Sequence, residues 1–171
     1  LTGLPNRFLF RTRVLHAIED AERSGGTFGV VMVDLDRFKE VNDTLGHQVG
    51  DDVLVQVANR ISANLRPGDT VARLGGDEFA ILAVDLTGVD DGVAVAGRVL
   101  AALEDPFTAV DVHLDVQASL GLAVYGEHGS DVDTLLSRAD VAMYSAKEER
   151  GTVRVYEATA DEHNPQRLAL A

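Results

Sequence analysis

The feature that most constrains this chain is a pair of glycines followed by two acids, Gly75-Gly76-Asp77-Glu78, set between two apolar runs. The runs, residues 70–74 and 80–84, have the length and composition of paired strands. Gly-Gly is typical of a tight hairpin turn, because turns that match the twist of paired strands need positive φ at their central residues. The sequence therefore predicts a β-hairpin with two carboxylates at its tip. Acids are also common at turns as solvated surface residues, so this segment alone leaves both interpretations open.

A second acid cluster, Asp34 and Asp36, closes the most apolar strand candidate in the chain, residues 28–33. A short β-branched run of this kind is typical of a buried central strand, and charged residues can emerge at its end. Carboxylates at a strand end, beside carboxylates on a neighbouring hairpin, form an oxygen-rich site suited to a hard cation such as Mg²⁺. The alternative is that Asp34 or Asp36 caps a following helix. A cap would explain one acid but not both clusters.

The apolar periodicity of the remaining chain predicts helices around these strands. Helices are expected over residues 7–23, 37–45, 50–65, 92–103 and 132–146, the first of them capped by Asn6. A second strand pair is expected at residues 113–116 and 118–125, and a short edge strand at 153–156. The pattern predicts an α+β (mixed α/β) fold in which helices flank a central, mostly antiparallel sheet.

The length, charge and cysteine content of the chain limit the functions that it can have. A length of 171 residues suits one domain with a sizeable core, and the net charge of −13 argues against nucleic acid as a partner. An acidic protein can still bind a nucleotide if divalent cations and a few basic groups invert the local charge. The absence of cysteine excludes disulfides and thiolate metal sites, which suits a reducing cytoplasm. No apolar stretch approaches the ~20 residues needed to cross a bilayer.

Four motifs, in order and correctly spaced, resemble the GGDEF family of diguanylate cyclases. The resemblance spans about residues 1 to 157. Its motifs are Leu1-Thr2-Gly3-Leu4-Pro5-Asn6-Arg7; the pattern DxDxFKxxNDxxGHxxGD starting at Asp34 and ending at Asp51; Arg73-Leu74-Gly75-Gly76-Asp77-Glu78-Phe79; and Asp140-Val141-Ala142-Met143-Tyr144-Ser145-Ala146-Lys147.

The resemblance implies a fold related to the nucleotide cyclases and the polymerase palm. It implies an enzyme that condenses two GTP molecules into cyclic di-GMP, releases pyrophosphate and depends on Mg²⁺ or Mn²⁺. The implied metal ligands are Asp34, the backbone carbonyl of Leu35 and Asp77, with Glu78 as a further ligand or a residue that holds the turn. Asp77 would also act as the base toward the attacking 3′-hydroxyl. Catalysis in the family needs two such domains face to face, so a homodimer is expected.

The resemblance also implies a set of substrate residues. Asn42, His47 and Asp51 match positions that contact guanine or ribose, and an amide beside a carboxylate suits the guanine edge. Phe38 belongs to the same predicted pocket. Taken without the resemblance, Asn42 shapes a turn, Asp51 caps the next helix, and His47 is a partly buried polar residue.

The only two lysines of the chain, Lys39 and Lys147, fall inside these motifs. Lys39 matches the family's transition-state stabiliser, where a fixed ammonium offsets charge on the phosphoryl oxygens; otherwise it lies on a solvated face. Lys147 and Arg150 are expected to reach the triphosphate. The family commonly has Gly before Arg in the segment that follows the lysine, whereas Arg150 here precedes Gly151. The exchange places the contribution of Arg150 in question.

The segment Arg66-Pro67-Gly68-Asp69 matches the RxxD site through which cyclic di-GMP inhibits members of the family. In that site, Arg66 would bind the product and Asp69 would orient Arg66. Pro-Gly is also an ordinary turn after a helix.

Two hypotheses remain. The first is an active cyclase, favoured by the intact acids and Lys39. The second is a catalytically weak regulatory module that binds GTP or cyclic di-GMP and controls a neighbouring domain, such as an EAL phosphodiesterase. Residues 158–171 are expected to be a linker toward such a domain. The expected location is the cytoplasm, alone or within a larger membrane-tethered protein, with no direct membrane contact from this domain.

Overall fold

The computed structural model describes residues 1–162 of the chain. The helices within this range are α1 (Arg7–Ser24), α2 (Phe38–Leu45), α3 (His47–Ala63), α4 (Val89–Glu104), α5 (Val132–Ala146) and α6 (Ala158–Glu162). The strands are β1 (Thr27–Leu35), β2 (Thr70–Gly75), β3 (Glu78–Leu86), β4 (Phe107–Ala109), β5 (Val112–Leu114), β6 (Ala118–Val124) and β7 (Val153–Val155).

The main sheet has five strands in the order β2-β3-β1-β6-β7, with β1 at its centre. Its pairs are antiparallel except for the edge strand β7, which runs parallel to β6. The predicted α+β (mixed α/β) architecture, with helices on a mostly antiparallel sheet, is therefore confirmed.

Helices cover both faces of this sheet, and the sheet separates the core into two layers. Successive side chains of a strand point to opposite faces. Accordingly, Val30 and Met32 of β1 pack with α1 and α5, whereas Val31 and Val33 pack with α3 and α4. Asp34 continues the alternation of Val30 and Met32, so its side chain lies on the α1/α5 face at the end of the strand.

A close approach of α5 to β6 fixes the geometry on that face. A Cβ atom added to Gly121 of β6 would lie 2.0 Å from the backbone nitrogen of Met143 and 2.3 Å from the carbonyl oxygen of Ala139. Real Cβ atoms do not tolerate such distances, so only glycine permits this packing. The end of α5 is thereby held directly over the sheet.

Several boundaries differ from the predictions. The expected pairing of residues 113–116 with 118–125 is wrong: β6 pairs with β1 and β7, whereas β5 pairs with β4 in a separate two-stranded sheet. Helix α3 begins at His47, three residues before the predicted start. Gly46, at φ 91°, is the single residue between α2 and α3, because glycine tolerates the positive φ of this turn. Asn6 does cap α1, since its side chain accepts a hydrogen bond from the backbone N–H of Leu9.

The predicted linker, residues 158–171, begins with the short helix α6, and the part beyond residue 162 lies outside the described residues. Among the helices of residues 1–162, none has the length and apolar character required to cross a membrane.

Candidate active site

Three polar residues lie in one row across the central strands. Glu78 of β3 and Ser119 of β6 are the direct cross-strand partners of Asp34 on β1. Residues directly opposite each other in an antiparallel pair share a face. The row of Glu78, Asp34 and Ser119 therefore lies on the α1/α5 face; we call it the acid row.

The hairpin turn brings Asp77 beside this row. The backbone N–H of Leu35 donates a hydrogen bond to the carbonyl oxygen of Asp77 at 3.3 Å. Gly76, at φ 52°, gives the turn its positive φ, and the Arg73 guanidinium donates to the Gly76 carbonyl from two nitrogens at 3.0 and 2.8 Å. The structure thus brings the two acid clusters together at the end of β1.

The Asp34 carboxyl is mostly buried and has a raised pKa. Its Oδ2 lies 2.7 Å from the Lys147 ammonium, whereas its Oδ1 is buried and has no hydrogen-bond partner among the described residues. Burial is the main cause that raises the pKa of Asp34 to about 6; the bond to Lys147 acts against it, and the charge of Asp77 adds to it. A buried, unpartnered carboxylate oxygen is unfavourable unless a cation joins it.

The residues present fit a hard divalent cation. Asp34 and Asp77 would offer carboxylate oxygens to it, and the backbone carbonyl of Leu35 would be a further donor. Within residues 1–162, no three His, Cys, Asp or Glu side chains form a ready-made metal cage. Mg²⁺ does not require such a cage, because it takes one or two protein carboxylates and completes its shell with waters and substrate phosphates.

Glu78 lies at the end of the acid row opposite to Ser119, with Asp34 between them. It lines a cavity of about 200 Å³ with Arg7 and Asp140, between α1 and α5. Burial is the main cause that raises the pKa of Glu78, followed by the charges of Asp34 and Asp140. Its strand position keeps it on the same face as Asp34.

Lys147 follows the last residue of α5 and bridges two acids. Its Nζ lies 2.7 Å from Asp34 Oδ2 and 3.3 Å from Asp36 Oδ1. Burial alone would lower the pKa of Lys147, but the bonds to Asp34 and Asp36 raise it. The approach of α5 at Gly121 is what delivers this ammonium to the acid row.

The predicted guanine residues lie where α2 meets α3. Phe38 is buried, and a Cβ on Gly50 would come within 1.8 Å of Asn42 Oδ1. His47 and Asp51 are four residues apart on α3, so they share one helix face, and both are exposed. Because α3 begins at His47, the alternative that Asp51 caps this helix is wrong. The alternative cap by Asp34 or Asp36 is also wrong, since no side chain caps α2.

Two further predicted basic residues lie on or beside α2. Lys39 is exposed on α2. Arg150 is exposed and lines a cavity of about 380 Å³ with Arg37, Glu40 and Gln117, beside α2. The structure does not bring Arg150 onto the α1/α5 face with Lys147.

The RxxD segment forms a tight turn. Asp69 accepts hydrogen bonds from the backbone N–H groups of Arg66 at 3.1 Å and Val84 at 2.9 Å. The Arg66 guanidinium lies 3.8 Å from Asp91 and is partly exposed. Asp69 therefore fixes the backbone of the turn, while Arg66 extends toward α4.

Sequence reasoning missed Ser119. It is fully buried, and its hydroxyl lies 2.8 and 3.0 Å from the two oxygens of Asp36. The signal was a lone hydroxyl in an otherwise apolar strand, Ala-Ser-Leu-Gly-Leu-Ala-Val. A buried polar side chain needs a partner, and that partner came from a motif more than 80 residues away.

Comparisons with known proteins agree with this fold. The family model described as "Diguanylate cyclase, GGDEF domain" matches residues 1–152. The chain therefore belongs to the GGDEF domain family, and the resemblance read from the motifs is confirmed.

Particular relatives are similar over most of the chain. Diguanylate cyclase TpbB of Pseudomonas aeruginosa is 43% identical over 92% of this chain, which spans 37% of TpbB. The cyclic di-GMP phosphodiesterase PdeR of Escherichia coli is 42% identical over 86% of this chain, which spans 22% of PdeR. The chain thus covers well under half of these relatives.

Solved structures show the same fold. The crystal structure of the TpbB GGDEF domain superposes with a TM-score of 0.89 at 42% identity, covering 92% of this chain and 99% of that one. The GGDEF domain of DgcB from Caulobacter crescentus, solved in complex with c-di-GMP, has a TM-score of 0.83 at 29% identity, covering 92% and 91%.

Proposed function

We propose that this domain is a diguanylate cyclase that condenses two GTP molecules into cyclic di-GMP and releases pyrophosphate. The observation that carries the proposal is Asp34, whose buried, unpartnered oxygen lies beside Asp77 at the end of the central strand. Buried polar atoms with a structural role are hydrogen-bonded in the great majority of cases. The similarity to TpbB, a protein named as a diguanylate cyclase, supports the same conclusion.

Asp34, Asp77 and the Leu35 carbonyl would hold Mg²⁺ or Mn²⁺, with Glu78 next to them in the acid row. When bound, the cation supplies electrostatic stabilisation of the phosphate oxygens. Asp77 accepts the proton of the 3′-hydroxyl, whose oxygen forms a bond to the α-phosphorus of the second GTP while the bond to pyrophosphate breaks. Lys39 and Lys147 offset the charge that develops on the phosphates.

Asn42, His47 and Asp51 would recognise the guanine and ribose of GTP, with Phe38 forming the buried base of the pocket. A carboxylate accepts from the N1 and N2 hydrogens of guanine and an amide pairs with its remaining edge, whereas adenine lacks that donor pair. Each domain would hold one GTP, so turnover requires two domains face to face. Since GTP is drawn from the cytoplasmic nucleotide pool, we propose a cytoplasmic location.

The decisive experiment is incubation of the domain with GTP and Mg²⁺, followed by chromatographic resolution of the products. Cyclic di-GMP is expected from the wild type and not from Asp34→Asn. Asp52→Asn, which removes an exposed acid on α3, is the matched control and should retain activity. Because activity depends on pairing of two domains, the assay is repeated with a longer chain. No cyclic dinucleotide from either would overturn the proposal.

A second candidate function is a regulatory module that binds GTP or cyclic di-GMP without turnover. Two observations favour it: Lys147 is engaged with Asp34 and Asp36, and Arg150 lies away from the acid row. The relative PdeR is named as a phosphodiesterase, so a similar domain exists in a protein of the opposite activity. Nucleotide binding measured by calorimetry, with no product in the cyclase assay, would establish this alternative.

We also propose product inhibition through Arg66 and Asp69. The Arg66 side chain is partly exposed, and its ion pair with Asp91 is long at 3.8 Å, so it can turn to a guanine or phosphate. Arg66→Ala is expected to raise the level of cyclic di-GMP reached at steady state. Unchanged inhibition by added cyclic di-GMP would contradict this role.

A further inference from the structure

The hydroxyl of Ser119 is directed at Asp36 from inside the fold. Ser119 is fully buried and lies opposite Asp34 in the β1–β6 pair. Its Oγ is 2.8 and 3.0 Å from the two carboxylate oxygens of Asp36. The hydroxyl can donate to either oxygen, and its closeness to both restrains the orientation of the carboxylate.

Asp36 is buried and has three polar contacts. Its backbone N–H donates to the carbonyl oxygen of Gln117 at 2.8 Å, and its side chain is only 5% exposed. Besides Ser119, the Lys147 ammonium contacts Asp36 Oδ1 at 3.3 Å. Asp36 thus differs from Asp34, whose Oδ1 has no partner in residues 1–162. The two acids of one motif serve different tasks.

Lys147 is the residue that connects them. Its contact with Asp36 does not involve Asp34, so the ammonium would keep that contact if Asp34 were occupied by a divalent cation. A lysine side chain has four flexible carbons, so immobilising it costs rotamer entropy. A rigid carboxylate beside it limits that freedom before the nucleotide arrives.

We propose that Asp36, fixed by Ser119, is a positioning residue that keeps the Lys147 ammonium at the acid row, ready for the phosphates of a bound nucleotide. This inference rests on the proposed function only in taking GTP as the ligand. It assigns a task to Ser119, which lies outside every motif, and separates Asp36 from the metal ligands.

The test is the affinity for a non-hydrolysable GTP analogue in Mg²⁺, measured by calorimetry on Ser119→Ala. The change removes one oxygen without adding volume, and a thermal melt checks that the variant folds. Affinity is expected to fall roughly tenfold, the size of one hydrogen bond to a charged group. Asp36→Asn should act in the same direction. Ser62→Ala, exposed on α3, is the matched control.

The discriminating step is a double-mutant cycle with Lys147→Met. If Ser119 acts through Lys147, Ser119→Ala has no further effect on affinity once the ammonium is gone. Equal losses in both backgrounds would mean that Ser119 only supports the fold, and would overturn the inference, as would an unchanged affinity of Ser119→Ala. Analogue binding without cyclic di-GMP formation overturns the proposed activity alone; no binding by the wild type overturns both.

Discussion

At the scale of single residues, the contact between Gly50 and Asn42 decides the shape of the predicted guanine pocket. A Cβ at position 50 would lie 1.8 Å from Asn42 Oδ1 and 2.9 Å from its Cγ. Gly50→Ala is therefore expected to displace the Asn42 carboxamide and raise the KM for GTP roughly tenfold, as expected when one good hydrogen bond is lost. Steady-state kinetics would measure this.

Gly97→Ala is the matched control for that variant. Gly97 lies on an exposed part of α4 and has no atom within 4 Å of an added Cβ. It should leave KM unchanged. An unaltered KM in Gly50→Ala would show that Asn42 does not contact the substrate.

The sequence predicts the site residues that lie in its motifs, but not those that are positioned by long-range pairing. Asp34 and Asp77 occupy two motifs, and their convergence followed from a strand end meeting a hairpin tip. The role of Ser119 could not be predicted, because it depends on β6 pairing with β1 rather than with its neighbour in the chain. The position of Arg150 likewise depends on the turn after α5, whose direction no local pattern fixes.

At the scale of elements, the packing of α5 on β6 rests on Gly121. The atoms that an added methyl group would strike belong to the backbone of α5 and cannot rotate away. Gly121→Ala is expected to lower the free energy of unfolding by about 3 kcal/mol or more, as overpacking against a rigid backbone does. Urea denaturation would measure the loss. Gly97→Ala should instead raise stability by ~0.5 to 1 kcal/mol, because alanine favours a helix interior; a small loss in Gly121→Ala would mean that α5 can shift.

The hairpin between β4 and β5 carries its own strain. Val110 and Asp111 form its two-residue turn with φ of 49° and 61°, and Val110 is 73% exposed. A β-branched residue in the left-handed region costs roughly 1 kcal/mol or more, whereas asparagine suits this turn. Val110→Asn is thus expected to raise the melting temperature.

Val112→Asn, on the adjoining strand, is the control for Val110→Asn and should not raise the melting temperature. If Val110→Asn were destabilising, a packing role for Val110 would replace the strain argument. The same turn explains why this hairpin was not predicted. Val-Asp is not a turn signal, and strands of three residues give too little alternation to detect.

At the scale of the whole molecule, the half-buried imidazole of His128 links stability to pH. The Nδ1 of His128 accepts a hydrogen bond from the backbone N–H of Val124 at 2.9 Å, and burial lowers the pKa of His128 below its usual 6.5. The unfolded chain therefore binds the proton more readily, so this contribution to stability is present above pH 6.5 and is lost as the pH falls below it.

Thermal melts of the wild type and His128→Asn between pH 7.5 and 5.5 would test this linkage. The asparagine oxygen can accept the same bond without titrating, so the variant should lose less stability on acidification. Asp34 and Glu78 act in the opposite direction, because their raised pKa values favour the folded state in acid. Only the difference between the two proteins therefore reports on His128. Parallel curves would contradict the assignment.

The ion pair between Lys147 and Asp34 has a consequence for how the domain matures. Because the ammonium already lies 2.7 Å from Asp34 Oδ2, we expect the domain to fold without magnesium even though Oδ1 has no partner in residues 1–162. Chelation is thus expected to abolish catalysis while leaving the melting temperature nearly unchanged, unlike in zinc fingers, which unfold when stripped of metal. Newly synthesised chains would therefore fold at low magnesium concentrations, and the cation would be required for catalysis and not for folding.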